Sequence, residues 1–147
     1  MSYANYMPES SDASLPMELR NAVMRMSRRL RAERADTEVT DGQFSVLAYL
    51  FRNGPHTPNE LAAWEHVSPP SMNRTVNCLE ESGYAARSPS ESDGRKVLVA
   101  LTDAGHELVQ ETRRRRDAWL QRRLDRLTDD QRRVLGEAVS IVADILT

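Results

Sequence analysis
The sequence predicts a mainly helical, α+β fold carrying one short β-hairpin, and three observations predict it. Apolar residues recur at helical spacing through most of the 147-residue chain. Ser or Thr heads five of those segments, and behind Thr40, Thr57 and Thr128 a Gln or Glu follows at the spacing of a capping box. The two β-rich stretches "YAARS" and "KVLVALT" flank the turn-prone run "PSESDG".

Residues 1–14 are polar and aperiodic, and are expected to form a flexible tail ahead of a single domain over 15–147. From Leu15, the positions Leu19, Ala22, Val23, Met26 and Leu30 step at helical spacing, giving a first helix over about 15–34. The second helix opens on Thr40 with Gln43, carries the stripe Phe44, Leu47, Ala48 and Phe51, and stops at Gly54. A short third helix follows Thr57, with Pro58 in its first turn and Glu60 as the box partner. Ser68 caps a fourth helix over about 69–82, whose two leading prolines are tolerated only in a first turn and which ends at Gly83. Past the hairpin, Thr102 caps a long helix. Thr128 with Gln131 then opens a last one, striped by Val134, Leu135, Ala138, Val139, Val142, Ile145 and Leu146.

Composition removes several function classes. No apolar run approaches the roughly 20 residues of a spanning helix, and the first residues lack the basic-then-apolar order of a signal peptide, so a cytoplasmic location with no membrane partner is expected. The single cysteine, Cys78, excludes an internal disulfide framework. No phosphate loop, nucleophile elbow or metal-ligand pair is present, and His56, His66 and His106 fit no zinc spacing; no catalytic residue, metal or cofactor is expected. A net charge of -2 argues against indiscriminate polyanion binding, so any nucleic-acid role must rest on local geometry.

The local geometry is suggestive. A short helix, a brief turn and a capped second helix form a helix-turn-helix, and the hairpin behind it makes a winged helix over 40–101. The helices outside that unit, over 15–38 and 103–147, are then most economically explained as a dimer interface. With about 100° between successive helical residues, Met72, Thr75, Val76 and Leu79 face the core, while Ser71, Asn73, Arg74, Asn77 and Cys78 face away. Asn and Arg make the side-chain contacts to adenine and guanine edges in a major groove, so Asn73, Arg74 and Asn77 are candidate readers. Ser68 and Ser71, at the helix start, suit phosphate. In the hairpin, Gly94 is expected to permit the tight turn and Arg95, beside Lys96, to enter a minor groove, and Arg87, Asp93 and Gly94 are counted with them as the wing's DNA-contacting residues. Asp93 is expected to pair with Arg87 or Arg95, and Val97, Val99 and Leu101 to point inward.

"SPPSMNRTVNCLEESGYAARS" and "SDGRKVLVALTDAGHEL" together resemble the recognition helix and wing of the MarR (multiple antibiotic resistance) transcriptional regulators, and the helix order matches across about 15–147. The resemblance implies a homodimer that binds an inverted-repeat operator in double-stranded DNA. It implies a repressor released by a small aromatic or anionic effector or by an oxidant, with the effector pocket among the first, second and fifth helices. Arg115 and Arg116, flanking Leu108, Thr112 and Trp119, either receive an anionic effector or pair with carboxylates across the dimer. Two other readings stay open: a protein-interaction module built on the outer helices, and a redox-responsive regulator using Cys78.

Overall fold
The computed structural model describes residues 14–147; the expected tail, apart from Ser14, lies outside the described residues. The elements run α1 (Leu15–Arg31), α2 (Asp41–Asn53), α3 (Pro58–Glu65), α4 (Pro69–Glu81), β1 (Ala85–Pro89), β2 (Val97–Leu101), α5 (Asp103–Leu124) and α6 (Asp129–Ile145). The chain falls into two compact units, one ending at Ala32 and holding α1, the other running from Glu33 to Thr147. No helix among the described residues is long and apolar enough to cross a membrane.

Capping decides where the helices of the second unit begin. Thr40 and Thr128 each accept, at the hydroxyl, from the N–H of the Gln three ahead and donate their own backbone N–H to that Gln Oε1, forming full capping boxes. Thr57 makes only the forward bond, from the Glu60 N–H. Gly54 (φ 77°) and Gly83 (φ 80°) take left-handed backbone after α2 and α4, which a Cβ would strain. Two helices are shorter than their periodicity suggests. The first ends at Arg31 rather than 34, where the Ala32 N–H tightens onto the Arg29 and Leu30 carbonyls, and the fifth ends at Leu124.

The core lies where α2, α3, α4, the hairpin and the first half of α5 meet. Val46, Leu47, Leu61, Met72, Val76, Leu79, Val99 and Val109 are almost wholly buried there. The predicted inner face of α4 is buried at Met72, Val76 and Leu79, with Thr75 half-buried at its margin. The antiparallel register pairs Ala85 with Leu101 and Arg87 with Val99. His56 adds a short bridge to β2, exchanging backbone hydrogen bonds with Val99 at 3.1 and 2.8 Å. This fastens the start of α3 to the wing. Val97, expected to anchor β2 inward, is instead 44% exposed; it shares a face with Val99 but sits beyond the end of the core.

The junction between wing and α5 is tight. Thr102 caps α5 by accepting from the Gly105 N–H, and its hydroxyl donates to the Gly83 carbonyl at 2.6 Å. A Cβ on Gly105 would stand 2.1 Å from the Tyr84 carbonyl oxygen, so only glycine allows this helix to approach so closely. Tyr84 in turn donates its hydroxyl to Asp36 at 2.6 Å. That bond, with the Glu38 N–H next in weight, holds the Asp36 carboxyl below its ordinary 3.8, and the same bond pushes the Tyr84 hydroxyl above 10.0.

Candidate nucleic-acid interface
The exposed side of α4 and the hairpin tip carry the residues singled out by sequence. Asn73, Arg74, Asn77 and Cys78 are exposed on α4, opposite the face buried on α2 and the hairpin. No hydrogen bond or ion pair engages the Arg74 side chain among the described residues, which leaves its guanidinium available. At the start of the helix, Ser68 accepts from the Ser71 N–H at 3.3 Å and donates to Ser71 Oγ at 3.0 Å. Ser71 thus keeps its own hydroxyl proton to give.

Of the two partners expected for Asp93, the wing tip shows Arg95, engaged through its backbone. Asp93 Oδ1 accepts from the Arg95 N–H at 3.1 Å, and the Asp93 carbonyl accepts from the Lys96 N–H at 3.0 Å. The aspartate therefore fixes the turn through backbone and makes no pair with Arg87, which sits several residues back along β1 and faces α4. Gly94 is not required by its conformation, since its φ lies outside the left-handed range and a Cβ there would meet nothing within 4 Å. The first central position of such a turn accepts most residues. Arg95 and Lys96 are exposed, and an open groove runs from them past Val97 and Asn73 to Thr57, Pro58, Asn59 and Glu60 at the head of α3.

Arg87 is drawn into α4. It donates to Asn77 Oδ1 at 2.8 Å and to Asn73 Oδ1 at 3.3 Å, and lies 3.1 Å from Glu80 Oε1 in an ion pair. Glu80 was not foreseen, although it stands seven residues after Asn73 on the same side of the helix and carries the charge opposite to Arg87. Two of the three predicted readers, Asn73 and Asn77, thus form one network with Arg87 of the wing strand.

The four-arginine run of α5 is engaged within the chain. Arg113 lies over the Phe51 ring with 4.4 Å to its centroid, and Arg116 over Phe44 at 4.8 Å. Arg114 and Arg115 both hold Glu111, at 3.0 and 3.2 Å, and these bonds, that of Arg114 foremost, keep the Glu111 carboxyl below its ordinary range. Arg115 also donates to the Arg34 carbonyl at 3.3 Å. The pairs of residues that build these stacks lie far apart in sequence, which is why spacing did not reveal them.

The remaining candidates have local roles. His56 turns Nδ1 to the Gly54 carbonyl at 2.8 Å and its ring edge to Tyr49, while Trp64 packs on Tyr49 at 4.2 Å. His66 takes left-handed backbone at the end of α3, and His106 packs beside Phe51. No group of three potential metal ligands occurs among the described residues.

Comparison with known proteins adds the wider context. The family model described as MarR matches residues 39–97. An HTH-type transcriptional regulator of Mycobacterium leprae is 40% identical over 136 residues, spanning 92% of this chain and 95% of its own. Among solved structures, a MarR family protein from Bacillus stearothermophilus superposes with a TM-score of 0.79 at 23% identity, covering 95% of this chain and 98% of its own. A variant of Staphylococcus aureus MepR bound to an oligodeoxyribonucleotide has the same fold, with a TM-score of 0.70 at 18% identity, covering 90% and 98%.

Proposed function
Because this chain belongs to the MarR family of helix-turn-helix transcriptional regulators, which bind DNA and are not enzymes, we propose that it acts as a homodimeric repressor on an inverted-repeat operator. Each α4 enters a major groove, and the two half-sites lie about one helical turn, roughly 34–36 Å, apart. Arg74, Asn73 and Asn77 meet base edges, Ser68 and Ser71 meet phosphate, and Arg95 with Lys96 reaches the flanking minor groove. The observation that carries this reading is the pairing of an uncommitted Arg74 in the exposed α4 face with a wing tip that holds Arg95 and Lys96 outward.

Dimer formation is supported by the apolar surface of α6, where Val134, Leu135, Val139, Ile141 and Ile145 are exposed, and a groove against α5 is lined by Leu124, Leu135 and Val139. Release by a small aromatic or anionic effector completes the proposal. An anion at Arg115 or Arg116 would compete with Glu111 for the first and with the Phe44 face for the second. A gel-shift titration against the DNA upstream of the chain's own gene tests the reading. A salt-sensitive, sequence-selective complex at sub-micromolar protein is expected, and its absence would remove the regulator from that DNA.

A further inference from the structure
Resting on the reading of α4 as the groove-entering helix, we infer that Arg87 is a positioning residue that sets Asn77 as a hydrogen-bond donor toward guanine, and is not itself a DNA contact. Arg87 reaches back from β1 across the side of α4, where Asn73, Asn77 and Glu80 form a stripe at i, i+4 and i+7. Its guanidinium has only donors, so each asparagine bonded to it must present the amide oxygen; the flipped amide would set N–H against N–H. The network thereby fixes the orientation of both amides.

The two asparagines are left in different states. Asn73 is held at both ends, because its NH2 also donates to the Pro69 carbonyl at 3.1 Å. Asn77 has its oxygen on Arg87 at 2.8 Å and an NH2 group with no acceptor among the described residues. An outward NH2 matches guanine, whose major-groove edge carries the adjacent acceptors N7 and O6. Bidentate reading of adenine needs the amide oxygen to accept from N6, and Arg87 holds that oxygen. The ordinary expectation for an asparagine on a recognition helix is thus reversed by one residue of the wing strand.

Charge points the same way. Glu80 lies 3.1 Å from Arg87, and the two side chains are only 34% and 26% exposed, so the cation is already compensated inside the protein. A compensated, half-buried guanidinium releases few counterions on binding, whereas a direct phosphate contact changes the salt slope by about one.

Fluorescence anisotropy of the full-length protein on an inverted repeat, with each half-site base pair permuted symmetrically, tests the inference. The wild-type protein is expected to prefer guanine over adenine by about tenfold at one base pair of each half-site. Arg87→Met and Asn77→Ala should each reduce that preference to about twofold at the same pair. Their combination should do no worse than either alone, and the salt slope of Arg87→Met should match wild type. Because Arg87→Met strands the Glu80 carboxylate, the double variant R87M/E80Q serves as the folded control and must behave alike. A salt slope reduced by about one, a surviving guanine preference in Arg87→Met, or additive losses in the combination would overturn the inference alone. A wild-type protein with no sequence-selective complex would overturn the reading of α4 beneath it, and the inference with it.

Discussion

The winged-helix core and α6 are written in the same amphipathic code and reach opposite states. In α2 and α4 the apolar stripes meet one another and the hairpin, leaving Val46, Leu47, Val76 and Leu79 fully buried. α6 has a stripe as long and a full capping box, yet it buries no residue, and Val139 and Ile145 are 61% and 67% exposed. α1, within its own unit, likewise buries none. Periodicity therefore tells that a helix has an apolar face, and not whether the same chain covers it. The open apolar face of α6 is the surface that the proposed dimer would cover.

In the packed core, the most damaging substitution is expected at Gly105. Gly105→Ala pushes a methyl into the Tyr84 carbonyl, so a loss of about 3 kcal/mol, the upper end of ordinary overpacking, should appear in urea unfolding. Thr112→Val comes next. Thr112 is fully buried and its hydroxyl accepts from the Ala35 N–H at 3.1 Å, so the isosteric change strands a backbone donor at about 1–3 kcal/mol. Matched substitutions on α6, such as Ser140→Ala on its exposed surface, should leave the same unfolding curve unmoved.

A smaller, pH-dependent effect belongs to the Asp36–Tyr84 bond. The Asp36 carboxyl is lowered from 3.8 in the folded protein, so its stabilisation is complete above that value and is lost as pH falls through the lower folded one. The Tyr84 hydroxyl is raised from 10.0, so its share is present below 10.0 and lost as pH climbs through the higher folded value. In Tyr84→Phe the alkaline arm should vanish from the thermal midpoint profile and the acid arm should shrink without disappearing, because the Glu38 N–H still holds Asp36, and a profile unchanged by that substitution would discount the bond. The smallest effect is at Gly94, where Gly94→Ala should shift neither stability by more than about 0.5 kcal/mol nor DNA affinity measurably.

Local rules made much of this fold legible. Thr40, Ser68, Thr102 and Thr128 announced their helices because a cap is satisfied within four residues. The buried positions Met72, Val76 and Leu79 followed from helical spacing alone. The interface residues were legible as a set, since Asn73, Arg74 and Asn77 do share the exposed side of α4. Their mutual arrangement was not. Arg87 meets Asn73, Asn77 and Glu80 only after the hairpin folds back, and no spacing rule encodes that fold-back. The same holds for His56 on Val99 and for Arg113 and Arg116 on Phe51 and Phe44. Gly94 and Val97 misled for a related reason: a turn can be fixed by an aspartate side chain, and an alternating strand can outrun the core it packs on.

The proposal that the open face of α6 packs against a second copy of this chain is tested directly by sedimentation equilibrium at micromolar concentration. The wild-type protein should sediment at twice the 16.7 kDa of one chain, and Leu135→Asp with Val139→Asp should sediment as one chain with its unfolding transition retained. A wild-type protein that stays monomeric, or a variant that remains dimeric with both aspartates in the stripe, would contradict it.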